Sequence, residues 1–427
     1  MKKVLALALA VIMVLALVGC GGNADSADNS SAPASDDGKV LSIDEVEKTV
    51  PANVTAVAKD KVKIGLICLH DENSTYDNNF IQALLTAKKE LGLSDDQVLI
   101  KTNIGENDAC YNAAAELADA GCNIIFADSF GHETFMIQAA EEFPDVQFCH
   151  ATGTRAQTEL VANFHNAFAS IYEGRYLAGI AAGMKLNEMI EKKIITADKA
   201  KIGYVGAFNY AEVISGMTSF YLGAKSVCES ATMEVTYTNS WFDIALEKEA
   251  ALNLIKDGCV LISQHADSEG APKACEEKNV PNVAYNISTI SMAPNTALIS
   301  SKIDWSPYFK MIINSVVEGK AIPSDYCGTY AEGYVKLTEL NSKVAAAGTQ
   351  EAIDAAIEKI KNGELKVFDT KNFTVKGKQL TEYMADVVTD EAFTKDTQVV
   401  IDGVFAESSK RSAPYFDIMY IDGISEK

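Results

Sequence analysis

From Lys63 onward, short continuous apolar runs alternate with stretches of helical period. Lys63–Leu69 (KIGLICL) has the composition of a strand buried on both faces. Phe80–Leu91 follows as an amphipathic helix closed by Gly92. Val98–Thr102 reads as the next strand, Ala109–Ala120 as a helix stopped at Gly121, and Asn123–Ala127 as a strand. Phe135–Phe143 is helical up to Pro144, and Val146–His150 is again a strand. A strand–helix succession of this kind predicts a parallel, doubly wound sheet.

After a long helix over Ala169–Lys193, Lys201–Ala207 (KIGYVGA) has the character of the first strand and opens a second series. Helices are predicted over Val213–Val227, Ile244–Lys256 and Ala271–Lys278, with strands at Met233–Thr238, Val260–Ser263 and Val283–Asn286. The two series are alike in kind without a residue-level repeat. They predict two Rossmann-like lobes with a ligand cleft between them, and residues 297–427 must complete and cover both. The first lobe is expected over 41–165 plus about 284–326, the second over 166–283 plus about 327–427.

The first forty residues break the pattern. Lys2 and Lys3 precede an apolar run from Val4 to Val18 and then Gly19-Cys20. A short positive region, an apolar core and a small residue before a cleavage point describe a secretory signal over 1–19. The run is shorter than the ~18–20 residues that span a bilayer. Leu17-Val18-Gly19-Cys20 also resembles a bacterial lipobox, whose cysteine is acylated. Gly21–Gly38 holds almost nothing that packs and reads as a flexible tether over 20–40, followed by a short helix over 43–50. A membrane location through a lipid on Cys20, facing the extracytoplasmic side, is therefore expected.

Composition then narrows the partners. Of 427 residues 48% are hydrophobic and 22% charged, a globular balance. Acidic residues outnumber basic ones 59 to 37, for a net charge of −22. Loss of residues 1–19 removes two lysines and leaves −24. So negative a body repels nucleic acid and anionic lipid alike, and it should stand off the membrane that tethers it. Apart from Cys20, the cysteines fall mostly in or beside apolar stretches, as small buried hydrophobes do.

In open parallel sheets, ligands bind beyond the carboxyl ends of the strands. In the first series those ends carry His70-Asp71 and Tyr76-Asp77, then Asp128-Ser129-Phe130 with His132, and Asn163-Phe164-His165. In the second they carry Phe208-Asn209, Ser240-Trp241-Phe242-Asp243, His265 with Asp267, Asn286, and Lys302-Ile303-Asp304-Trp305. Aromatic faces can sandwich a flat ring while Asp and Asn satisfy its amines or hydroxyls. That chemistry suits a planar polar ligand such as a nucleobase or nucleoside. The three arginines, Arg155, Arg175 and Arg411, lie outside these clusters, which disfavours an anionic ligand.

Other classes compete. The histidines at 70, 132, 165 and 265, with Asp71, Asp128 and Asp267, raise a transition-metal site. No HxH, HExxH or CxxC pair fixes two ligands on one element, so no metal or cofactor is expected. A sugar-like solute is a further alternative. An enzyme is disfavoured because GxSxG, Walker and GxGxxG motifs are missing from the positions that would use them.

Several segments together resemble a known family. These are Phe164-His165-Asn166-Ala167-Phe168 with Glu173-Gly174-Arg175-Tyr176-Leu177-Ala178-Gly179, Gln264-His265-Ala266-Asp267-Ser268 with Ala274–Lys278, and Ile303-Asp304-Trp305-Ser306-Pro307-Tyr308. The family is the basic membrane protein group, substrate-binding lipoproteins of ABC importers that include purine-nucleoside receptors. The resemblance covers roughly residues 61–340. It implies a periplasmic-binding-protein type I α/β fold, with two parallel-sheet lobes joined by three hinge crossings. It also implies a permease and an ATPase as partners of a monomeric receptor. Carried over, Asp71, Asp128 and Asp267 resemble the family's ligand carboxylates, Lys302 its basic residue and Trp241 its stacking aromatic. Nucleoside receptors carry Ser-Phe-Asn in the first lobe where this chain has Tyr76-Asp77-Asn78-Asn79-Phe80, so Tyr76 or Phe80 would supply the opposite face.

Overall fold

The structure is a computed structural model that describes residues 54–159, 161–387 and 397–427. The expected leader, Cys20, the tether and the helix at 43–50 lie outside the described residues. Among the described residues no helix is long and apolar enough to cross a membrane.

The first sheet contains β1 (Ile64–Ile67), β2 (Val98–Lys101), β3 (Ile124–Ala127), β4 (Gln147–Ala151) and β5 (Phe164–Ala169). Its order is β2-β1-β3-β4-β5, closed by the later β11 (Asp325–Gly328), and every pairing is parallel. β1, β3, β4 and β5 are buried throughout, as the continuous apolar runs require. Helices α1 (Thr75–Leu91), α2 (Asp108–Asp119) and α3 (Glu133–Glu142) connect these strands.

Helix α1 starts five residues before the predicted Phe80 because Ser74 caps it. The Ser74 hydroxyl accepts from the Asp77 amide at 3.3 Å and donates to the Asp77 carboxylate. Tyr76 and Asp77 therefore stand on the first helical turn, not on a loop.

Helix α4 (Ile171–Glu191) carries the chain into the second lobe, where β6 (Lys201–Gly206), β7 (Thr232–Tyr237), β8 (Leu261–His265), β9 (Asn282–Tyr285) and β10 (Ala297–Ile303) form the other sheet. Its helices are α5 (Ala211–Val227), α6 (Ile244–Lys256) and α7 (Gly270–Lys278). α4 and α5 pack with almost no gap. A methyl group on Gly179 would fall 2.0 Å from the Phe220 carbonyl oxygen, and one on Gly223 would fall 1.9 Å from that of Tyr176.

The lobes exchange chain after β5, between β10 and α8 (Ser306–Glu318), and between β11 and β12 (Val335–Leu337), which pairs antiparallel with β10. α8 packs on α1 in the first lobe. Two expected boundaries move. β5 belongs whole to the first sheet, so the first crossing follows Ala169 rather than residue 165. β10 lies beside β9, so the second crossing follows Ile303 rather than falling near 284. The polar stretch 287–296 between β9 and β10 looks like an end to the second series, but the chain returns from it into the same sheet.

After α9 (Thr349–Lys361), residues 365–387 and 397–427 wrap the second lobe. Phe368, Phe405, Tyr415 and Phe416 enter its core, and Phe368 stacks on Phe416 at 4.5 Å. The strand Ile424–Glu426 pairs parallel with β7 and closes the sheet edge.

Candidate functional site

The carboxyl ends of both sheets face each other across a small cavity. From the first lobe it is lined by Leu69, His70, Tyr76, Asp77, Ser129 and Thr152. From the second come Glu212, Trp241, His265, Asp267 and Tyr285. The jaws are drawn together: the Thr75 amide donates to the Asp267 carbonyl at 2.8 Å, and the rings of His70 and Phe242 lie 5.3 Å apart. The room left is about 20 Å³, enough for a water. A ligand with a ring enters only if the lobes or side chains part.

Charge is divided unevenly across the cavity. Burial works to raise Asp77, but hydrogen bonds from His70 and Ser74 outweigh it and hold the carboxyl below its ordinary range. Asp128, fully buried behind the cavity wall, is pushed well up by burial and by the Asp77 charge. Its Oδ1 accepts from the Leu69 amide at 3.2 Å and its Oδ2 has no protein partner. In the second lobe burial raises Asp267 strongly, with Glu247, Asp77 and Glu212 adding to it. Burial lifts Glu212 to about 7 against the pull of Arg175. Burial, then Arg175, drives His265 well below its ordinary value, so it is neutral. Asp77 is thus held toward its ionised, accepting form in the first-lobe wall, while burial shifts Asp267 and Glu212 toward the protonated form that can donate.

The expected residues divide into four groups. Tyr76, Asp77, Ser129, Trp241, His265 and Asp267 line the cavity. The Tyr76 hydroxyl donates to the Asp128 carbonyl at 2.8 Å. Asp128, Asn286 and Phe208 support that lining. Asn286, held at φ 70°, donates from Nδ2 to Asp267 Oδ1 at 3.2 Å. Phe208 meets Trp241 edge-on at 5.0 Å and stacks on Tyr210. Phe130 stands at the cleft mouth, 40% exposed, with its ring 5.8 Å from that of Tyr210 across the lobes.

Others are not brought to the cavity. Phe80 and Trp305 stack on each other at 4.5 Å inside the first-lobe core, because capping by Ser74 turns Phe80 inward on α1. Phe164 is buried in the same lobe beside His150. The Asp71 carboxylate accepts from the Asn73 backbone and side chain, closing a turn. Lys302, on β10 opposite Lys336, is absent from the cavity lining.

The sequence places His70 at a strand end, and it lines the cavity, whereas Thr152, Glu212 and Tyr285 were not expected there. Tyr285 is the last residue of β9, and Glu212 opens α5 just beyond the β6 end, so both obey the strand-end rule. Thr152 has φ 69°, a left-handed backbone rare for a β-branched residue and a mark of sites. The arginine argument also needs correction. Arg175 lies one layer behind the cavity, its guanidinium 3.5 Å from the Tyr285 ring centroid. Its Nη1 donates to the Gln264 carbonyl at 2.9 Å, while Nε and Nη2 have no protein partner. Arg411 also approaches the cleft, with its donors taken by the carbonyls of Val387, Ala413 and Pro414.

The histidines do not converge. His132, His150 and His165 bond the Ile104 carbonyl, the Ser129 carbonyl and the Gln147 side chain inside the first lobe. Cys68, Asp77 and Asp128 bring possible ligand atoms within 4.8 Å of one another. Burial, and then Asp128 itself, raises the Cys68 thiol, so a shared-proton arrangement fits this trio better than a cation cradle.

Comparison with known proteins agrees with this architecture. Residues 64–371 match the family model described as Bmp, ABC transporter substrate-binding protein PnrA-like. A purine-binding protein of Brucella abortus is 31% identical over 319 residues, covering 73% of this chain and 85% of that one. A Haloferax volcanii protein, provisionally named an ABC transporter glucose-binding protein, is 33% identical over 253 residues, covering 59% of this chain and 61% of that one. An ABC transporter solute-binding protein of Aeropyrum pernix has the same fold, with a TM-score of 0.61 at 16% identity over 71% of this chain and 92% of that one. One from Conexibacter woesei gives 0.57 at 20% identity over 71% and 98%. The fold is therefore that of the type I periplasmic binding proteins. The chain belongs to the Bmp family of extracytoplasmic ABC transporter substrate-binding proteins, which hand small molecules to a permease and are not enzymes.

Proposed function

We propose that this receptor captures a neutral purine, as a nucleobase or nucleoside, in the interlobe cavity and presents the closed lobes to its permease. The observation that carries this reading is the lining itself: Trp241 and Tyr76 offer aromatic faces beside ionised Asp77 and the acids Asp267 and Glu212. Purine edges carry both amines and acceptors, which such a pair of walls can satisfy. The purine-binding relative supports it. A sugar is the second reading, since aromatic faces beside carboxyls also suit hydroxyl-rich rings and one relative is provisionally named for glucose. A lipid on Cys20 holds the monomer at the membrane, and Cys20→Ser releases it into the soluble fraction.

Thermal-shift screening against nucleobases, nucleosides, sugars, amino acids and divalent metals tests the ligand. Stabilisation by purines alone is expected. Stabilisation by sugars alone, or by zinc alone and abolished by a chelator, replaces the reading.

A further inference from the structure

The inner cavity is too small for a ring, yet a second chamber of about 300 Å³ opens directly beside it. The two share Thr152, Glu212 and Trp241, so they are neighbours with these three side chains between them. The outer chamber is at the lower end of the range for small-molecule sites. Phe130 and Tyr210 bound it from the two lobes. A further wall comes from Arg411, Ala413 and Pro414. These residues lie beyond the match to the family model, which ends at 371.

The segment that carries them is fixed at both ends. Toward the second lobe, Tyr415 and Phe416 are buried in the core. Toward the first, the Ser412 amide donates to Asp325 Oδ2 at 2.7 Å, and Asn166 Nδ2 donates to Ser412 Oγ at 2.9 Å. Gln157 bonds both Asp325 and the Lys410 carbonyl. Asn166 and Asp325 lie on β5 and β11, the two first-lobe strands that lead into crossings. Arg411 donates to the carbonyls of Ala413, Pro414 and Val387, which stiffens the turn.

We infer that residues 411–414 are a strap that forms the fourth wall of the ligand site and selects a molecule larger than a bare base, a nucleoside-sized neutral compound. This rests on the purine reading above. The ring would stack at Trp241, at the junction of the two spaces, and the remainder would fill the outer chamber against Ala413 and Pro414. Ala413 and Pro414 make that part of the wall apolar, which favours a substituent without charge.

The test titrates adenosine and adenine into the full chain, its Ala413→Phe variant, which fills the chamber, and its Ser412→Ala variant, which loosens the strap from the first lobe. The native protein should bind adenosine more tightly than adenine. Ala413→Phe should weaken adenosine ~10-fold or more and leave adenine nearly unchanged. Hydrogen exchange over residues 407–416 should slow on adenosine binding and speed up in Ser412→Ala, which also reports whether each variant keeps its fold. Equal affinities in all three proteins, with no change in exchange, overturn the strap and leave the purine reading standing. If neither purine binds the native protein but a sugar does, the purine reading falls. Ala413→Phe must then weaken the sugar for the strap to survive.

Discussion

Two side chains decide most of what the cavity can do. Trp241 touches both the inner space and the outer chamber, and Phe208 and Tyr210 brace it edge-on. Trp241→Ala should weaken purine binding by about 1–3 kcal/mol, read by calorimetry. Unchanged affinity would remove it from the site. Glu212 gives a pH signature. Its folded pKa of about 7 lies above the ordinary value for a glutamate, so the native state holds a proton that the unfolded chain has already released between those two values. Its contribution to stability is therefore whole below the unfolded pKa and is lost as pH rises toward 7. Glu212→Gln cannot ionise, so its stability relative to the native protein should be even at pH 4 and higher by up to about 3 kcal/mol at pH 8. Melting temperatures across that range check it, and a pH-independent difference would place the charge elsewhere. At this scale the sequence was half legible. The strand-end rule found Tyr76, Asp77, Trp241, His265 and Asp267. It could not separate Phe80 or Trp305 from them, because a strand-end position does not say which way a ring turns. It also missed Arg175, which stands behind the cavity on the second turn of α4.

At the scale of elements, period and caps carried the reading well, since buried strands are short apolar runs with few alternatives. Errors fell where a local hydrogen bond or a long-range pairing decides. Ser74 adds a helical turn before Phe80, and the placement of β10 beside β9 rests on partners that no local pattern reveals. The α4–α5 contact is a clear case of a long-range constraint written in single residues. Gly179→Ala gains about 1 kcal/mol of helix propensity but drives a methyl into the Phe220 carbonyl. A net loss of about 1–3 kcal/mol is expected in urea unfolding followed by circular dichroism. A gain would mean that the two helices separate at little cost.

For the whole molecule, a cavity of about 20 Å³ implies that ligand enters through a more open arrangement. X-ray scattering should give a smaller radius of gyration with saturating ligand than without it, and identical curves would detach binding from lobe closure. Residues 365–427 had no role that their sequence disclosed, because aromatics scattered among polar loops carry no period. In the structure the described part of this stretch covers one lobe and reaches the other. Ending the chain after residue 371 should abolish cooperative melting of the second lobe.

The strand Ile424–Glu426 at the edge of the second sheet has a consequence for how the molecule is made. The second lobe takes chain from α4 to its last strand, and the first waits for β11. The first sheet cannot be completed before Gly328 nor the second before Glu426, and contacts so distant along the chain form slowly. The order of assembly thus leaves the cleft unfinished until both of these late strands are in place.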